Sequence, residues 1–334
     1  MLTERINPMK IIKTGNEAAW KTNKMIISGW FSFFCNFKCS YCINETYKKN
    51  YPMALSPKAL ENLMEYLPKL KKSHYSFSLA GGEALLYPHL EQFFSYLREH
   101  EGYKNKASCF VMTNGVLLDR MSPHIYDNCS TTVCISFHNE QADMDTYFDT
   151  LKRFQNPEIC TVNLLMKHGE QKEVERITQK LNNIGYNRVW IRGILVDNKL
   201  DPAYTKNEVE YLFEKTAEMS QVYTNYYLDE NNQEKQIKFH VEDFRNNHEL
   251  VSYQGLKCSA GQNAIRVLPD GSVSPCVNIK ATENFNLNSQ PITEYPLLTK
   301  PFTCTKDKCL CPPYVTLAKW DPYHVQKPDY IVGD

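Results

Sequence analysis

Cys35, Cys39 and Cys42 stand four and three positions apart in Cys35-Asn36-Phe37-Lys38-Cys39-Ser40-Tyr41-Cys42, a spacing that lets one loop turn all three sulfurs onto one small inorganic object. A [4Fe–4S] cube is held by cysteine thiolates, as a rule four of them. Three cysteines therefore leave one iron without a protein ligand, and an open iron is a place for chemistry. Taken alone, the segment also admits a structural zinc loop or three unrelated thiols. A second group, Cys258, Cys276, Cys304, Cys309 and Cys311, lies far along the chain, with Cys109, Cys129, Cys134 and Cys160 between the two groups.

The compartment bears on what these thiols do. Residues 1–24 are polar and lack the apolar run of a secretion signal, and no later stretch holds 18 uninterrupted apolar residues. The expectation is a cytoplasmic protein with no membrane association. Twelve cysteines there are better explained by metal ligation or redox chemistry than by disulfides. Lys+Arg and Asp+Glu both number 38 and no basic run is present. No nucleic-acid partner is expected.

The elements that must position the first loop are apolar strands alternating with amphipathic helices. Residues 1–23 read as an N-terminal arm. Met25 to Phe31 is a buried strand that delivers the chain into the cysteines. Ser56-Pro57 opens a helix carrying Leu60, Leu63, Met64, Leu67 and Leu70 at helical spacing to about Lys71. The strand Tyr75 to Ala80 ends in Gly81-Gly82-Glu83. Further strands are expected at 107–112, 131–137, 160–166 and 188–195, with helices at 90–99, 142–154 and 171–184 and a short helix opening at Ser122-Pro123. This is the pattern of βαβ units on a parallel sheet. Six strands predict an α/β fold, a partial (β/α)6 barrel over residues 24–200, with ligands at the C-terminal ends of its strands. That rule gathers the cysteine loop, Gly81-Gly82-Glu83 and Thr113-Asn114-Gly115 on one rim.

From 201 to 255 the rhythm breaks into a helix at 208–219 and a hairpin formed by 223–228 and 236–241, an excursion completing or covering the barrel. Residues 256–334 read as a small hairpin and loop domain. Ala264 to Leu268 and Ser272 to Ser274 flank the turn Asp270-Gly271, which brings Cys258 and Cys276 together. The loop Cys304 to Cys311 adds thiols. Cys258, Cys276, Cys309 and Cys311 are the expected ligands of a four-thiolate site, with Cys304 competing for either of the last two; iron–sulfur and zinc both suit these donors. The central cysteines fit buried apolar positions.

Cys35-x3-Cys39-x2-Cys42, with Tyr41 before the last cysteine and a strand before the first, resembles the signature of the radical S-adenosylmethionine (radical SAM) enzymes. Gly81-Gly82-Glu83 at the end of the second strand is similar to that family's second motif, and the resemblance covers residues 24 to about 195. Cys258-x12-Gly271-x4-Cys276 with its distal cysteines is similar to the C-terminal SPASM and shorter Twitch domains. Five distal cysteines, against seven in a full SPASM domain, favour a single auxiliary cluster. In length the chain is also similar to the molybdopterin-precursor cyclases, but it has Cys258-Ser259-Ala260-Gly261 where those carry a Cys-x2-Cys pair, so that identity is set aside.

The resemblance implies an enzyme whose [4Fe–4S] cluster cleaves S-adenosylmethionine to a 5′-deoxyadenosyl radical. That radical takes a hydrogen atom from a peptide or a small polar metabolite, in an oxidation, cross-linking or epimerisation assisted by one auxiliary Fe–S cluster. A protein reductant such as flavodoxin or ferredoxin is implied as partner. Cofactor contacts are expected from Tyr41 near the adenine, from Gly81 and Gly82, and from Glu83, accepting from the methionine ammonium. Asn114, Ser136 and Arg192 are expected near the ribose or carboxylate. His138 reads as structural. The alternative in a different class is a non-catalytic Fe–S electron carrier or a zinc-stabilised binding module.

Overall fold

The computed structural model describes residues 9–15, 17–42, 44–120, 129–138, 140–141, 143–196, 199–219, 222–240, 251–307, 309 and 317–333. Its elements are β1 (Met9–Thr14), α1 (Glu17–Lys21), β2 (Lys24–Ser32), α2 (Asn44–Lys48), α3 (Pro57–Met64), β3 (His74–Gly81), α4 (Leu90–Glu99), β4 (Ala107–Thr113) and β5 (Ser130–Phe137). There follow α5 (Met144–Arg153), β6 (Cys160–Met166), α6 (Gln171–Asn183), β7 (Val189–Gly193), β8 (Leu195–Val196), β9 (Lys199–Leu200), α7 (Lys206–Met219), β10 (Val222–Leu228) and β11 (Glu234–His240). The chain closes with β12 (Val251–Ser252), β13 (Lys257–Cys258), β14 (Ala264–Val267), β15 (Val273–Ser274), β16 (Phe302–Thr303) and β17 (Lys319–Trp320).

An eight-stranded sheet runs in the order β15-β14-β2-β3-β4-β5-β6-β7, and every neighbouring pair in it except β14–β15 is parallel. The expected α/β partial barrel is present: its six strands lie side by side in chain order, as right-handed βαβ crossovers place them. Each strand alternates. Val133, Ile135 and Phe137 of β5, Val162, Leu164 and Met166 of β6 and Ile191 of β7 pack with Tyr147, Leu151, Val174 and Ile177 of the helices in one large core. The residues between them face the other way, onto the inner wall.

Local chemistry explains the helix ends. Ser56 caps α3 by accepting from Ala59 N at 3.1 Å, and Asp143 caps α5 by accepting from Thr146 N at 2.9 Å. The helix expected to reach Lys71 stops at Met64 and resumes as a 3-10 turn over Leu67–Leu70. Pro68 is the cause, since proline has no N–H to continue the ladder. Thr205 and Glu208 form a reciprocal capping box on α7: Thr205 N donates to Glu208 at 2.8 Å and Glu208 N to Thr205 Oγ1 at 3.3 Å.

Two segments differ in placement from the expectation. The hairpin β14–β15 is not confined to a separate C-terminal layer, because β14 pairs with the edge of β2, Ala264 opposite Ile26 and Val267 opposite Gly29. Ile26 and Ile27 leave an apolar edge that another strand must satisfy, and Ala264-Ile265 matches it. Nor is the chain before β2 a simple arm. In a second sheet, ordered β11-β10-β1-β17-β13-β16 with β12 also on β1, the strand β1 lies between the hairpin expected from 223–228 and 236–241, seen as β10 and β11, and the C-terminal strand β17. A second core of Ile11, Val251, Tyr253, Leu256, Cys258, Cys309 and Leu317 packs there. The expected helix at Ser122-Pro123 lies outside the described residues. Among the described residues, no helix is long and apolar enough to cross a membrane.

Candidate active site and metal centres

The loop after β2 carries Cys35, exposed, and Cys39 and Cys42, both half-buried. It is fastened to the rim from three sides. Ser40 N and Ser40 Oγ both donate to Glu140, at 2.9 and 3.1 Å, and Lys38 N donates to Gln141 at 3.3 Å. Tyr41 is hydrogen-bonded to His138 Nδ1 at 3.1 Å and stacks on the same ring, with centroids 5.9 Å apart. Asn114 donates through Nδ2 to Asn36 at 2.7 Å. Burial, then the neighbouring Cys42 and Cys35 and then Glu140, push the Cys39 thiol up to about 11. The three sulfurs thus feel one another electrostatically, and a bound cation would reverse that repulsion.

Gly81 and Gly82 belong where the chain folds back beside this loop. Gly82 N donates to Ser32 O at 2.9 Å and Glu83 N to Phe34 O at 2.7 Å. Gly81 has φ +126°, and a Cβ on it would overlap Ser32 O, as one on Gly82 would overlap Phe34 O. Lacking a Cβ, they let the chain approach closely the strand that leads into Cys35. Glu83 follows directly in the chain. It is fully buried, accepts from Leu85 N at 3.0 Å and from Asn114 N at 2.7 Å, and so joins two rim loops. Burial raises its pKa against those donors, which lower it. Asn114 is engaged too: besides Asn36 and Glu83, its Oδ1 accepts from Val116 N at 3.2 Å. Both brace the rim through bonds to backbone N–H groups and to Asn36.

Ser136 and Arg192 do face the inner wall. Ser136 lies beside Asn163 in register, and Asn163 donates to Cys134 Sγ at 2.9 Å. The Arg192 guanidinium stacks 4.0 Å from the Trp190 ring, and Arg266 from β14 stacks 4.1 Å from Trp30. Asn163 Oδ1, Trp190 Nε1 and Arg266 Nε are buried with no hydrogen-bond partner among the described residues. Such atoms cost free energy unless a ligand or water meets them, which fits a polar molecule against this wall. Asn163, Trp190 and Arg266 escaped sequence reasoning, although a side chain with polar atoms interrupting an apolar strand was their signal.

The distal cysteines converge. Cys258, Cys276, Cys304 and Cys309 line one cavity together with Lys319. Cys311, expected as a ligand, lies outside the described residues, and Cys304, expected as the competitor, takes a place in the cavity wall. Cys258 sits on β13 rather than on the hairpin and pairs with Phe302 on one side and Lys319 on the other. Burial, the main cause, pushes Cys258 up to about 12 and Cys276 up to about 11. Burial also lowers the Lys319 ammonium, but the four surrounding thiols together leave it raised. Among the described residues no three His, Cys, Asp or Glu side chains gather around one point closely enough to hold a single metal ion; the fit of a cluster rests on donor type and on this electrostatic coupling.

Comparison with known proteins follows the same lines. The radical SAM superfamily matches residues 31–203. A GTP 3′,8-cyclase of Helicobacter pylori is 23% identical over 255 residues, covering 73% of this chain and 77% of that protein. Streptococcus suis SuiB bound to the precursor peptide SuiA superposes with a TM-score of 0.51 at 15% identity, over 83% of this chain and 66% of SuiB. Native anSMEcpe with bound AdoMet and the Cp18Cys peptide gives 0.50 at 16% identity, over 82% and 81%. At such identities the two structures speak for the fold.

Proposed function

The chain belongs to the radical SAM superfamily and is an enzyme, and from that premise we propose that Cys35, Cys39 and Cys42 hold its [4Fe–4S] cluster with one iron open to S-adenosylmethionine. The observation that carries this reading is the clasped loop at the end of β2, three coupled thiols fixed to a rim of hydrogen-bonded turns. With S-adenosylmethionine bound, such a cluster supplies one-electron reductive C–S cleavage that ends in hydrogen-atom abstraction from a C–H bond. The residues of the chain orient and enclose. Tyr41 and His138 wall the loop, Gly81, Gly82 and Glu83 fix its entry, and Ser136, Asn163, Arg192 and Arg266 present polar groups to whatever lies against the inner wall. An electron-carrier or zinc-module role is set aside by family membership.

We further propose one auxiliary Fe–S cluster on Cys258, Cys276, Cys304 and Cys309, and a protein reductant of the flavodoxin or ferredoxin kind. For the substrate, the two arginines and the partnerless Asn163 and Trp190 atoms favour a small polar, anionic metabolite. The GTP 3′,8-cyclase relative makes GTP the first such compound to try. A peptide is the second reading, since the SuiB and anSMEcpe structures hold peptides.

Anaerobic reconstitution followed by S-adenosylmethionine and dithionite tests the enzyme reading: 5′-deoxyadenosine should accumulate. It should vanish in a Cys35→Ala/Cys39→Ala/Cys42→Ala variant that keeps the distal iron. Failure of the intact protein to form 5′-deoxyadenosine, or iron content unchanged in the variant, defeats the proposal.

A further inference from the structure

Lys319 is 2% exposed, yet it carries an ammonium into the cavity walled by Cys258, Cys276, Cys304 and Cys309. The backbone fixes it there. In the antiparallel pair of β13 and β17, Lys319 stands directly opposite Cys258, and opposite residues of such a pair hold their Cβ atoms about 5 Å apart. On the other side of its strand Lys319 is opposite Thr14 of β1, so the position is held from both edges. Its Nζ also lies 3.4 Å from Leu317 O and 5.6 Å from the Tyr253 ring centre. Burying an ammonium is costly unless negative charge meets it. Here the groups that gather around it are four sulfurs able to become thiolates.

We infer that Lys319 is the built-in countercharge of the distal cluster and sets its reduction potential by favouring the more negative, reduced state. The inference rests on the proposed distal Fe–S site. A cluster ligated by four thiolates becomes one charge more negative when it takes up an electron. A positive charge lining the same buried cavity, in surroundings of low polarity, stabilises that form more than the oxidised one. The midpoint therefore rises.

The test uses the full chain with Cys35, Cys39 and Cys42 replaced by Ala, so that only the distal site binds iron. Redox titration followed by electron paramagnetic resonance gives its midpoint, and Lys319→Met removes the charge while keeping a long apolar stem. The expected result is equal iron with a midpoint moved negative, the reduced fraction at fixed potential falling roughly tenfold, which is about 59 mV for one electron. Lys319→Arg should stay near the parent value. Loss of iron in Lys319→Met but not in Lys319→Arg also supports the role, because the two differ in charge. An unchanged midpoint at full iron content overturns the inference alone, and so does loss of iron in both variants. A parent protein that binds no distal iron overturns the distal-cluster reading and the inference together.

Discussion

Glu83 binds two rim loops with one carboxylate. Removing it orphans the buried N–H of Asn114 and the half-buried N–H of Leu85, a group of the first kind costing about 1–3 kcal/mol when left without an acceptor. Glu83→Ala should therefore destabilise the apo-protein by about 2–4 kcal/mol in urea unfolding followed by circular dichroism. A loss under about 1 kcal/mol would mean that the carboxylate is not a structural tie. The motif that contains Glu83 was visible in the sequence, yet its job was not. Three consecutive residues say that a turn is tight and ends in an acid; they do not say that the acid also meets the N–H of Asn114, which lies 31 positions away in the loop after β4. Lys319 was still less legible, a lone lysine between Ala318 and Trp320 with no cysteine near it in sequence.

At the level of elements, the turn between β3 and the rim is dictated by lack of space. In Gly82→Ala the new Cβ would press on the carbonyl of Phe34, one residue before Cys35. That variant should lose iron from the first site while the distal site keeps its share, as read by iron per chain before and after removal of the first three cysteines; full retention at the first site would show that the turn can yield. The start of α7 supplies a pH prediction. Glu208 accepts from Gly169 N, from Thr205 N and Oγ1 and from His168, and these donors hold its pKa at about 2, below the ordinary 4.5. A depressed carboxylate stabilises the fold above its unfolded value. That contribution fades as pH falls from about 4.5 toward 2. Glu208→Gln should be less stable than the parent at neutral pH, and the gap should close over that acid window in thermal melts; a gap independent of pH would exclude the carboxylate as its source. Strands and helices of this kind were readable from periodicity, since each is a local pattern. The break at Pro68 was missed, because the apolar spacing of Leu67 and Leu70 carried the expected helix through it, although proline's missing donor is a property of the residue itself.

Across the whole molecule, what stayed hidden was partnership. The Asp270-Gly271 turn identified Ala264 to Leu268 as one strand of a hairpin but could not say that its other neighbour would be β2 at the far end of the chain. The pairing of β1 with β10 and β17 was equally silent. The second core binds these distant pieces together, with Ile11 packed in the same cluster as Cys258 and Cys309. Ile11→Asp should bury a carboxylate there and cost more than about 3 kcal/mol. With iron bound at both proposed sites, the distal iron should be lost ahead of the iron at Cys35, Cys39 and Cys42 on mild heating, measured by the decay of each signal; simultaneous loss would mean that the two sheets unfold as one unit.

The seam between β2 and β14 also has a meaning in time. Asn263 hydrogen-bonds Lys24 across 239 positions of chain, so on the ribosome β2 has β3 on one side and nothing on the other until the C-terminal segment is made. At about 5–20 residues per second that interval is roughly 12–48 s. The first cysteine loop thus emerges from a strand with an open, apolar edge long before the fold can close over it. Association of nascent chains through that edge, or early loading of the loop before the distal thiols exist, would both belong to this interval of synthesis.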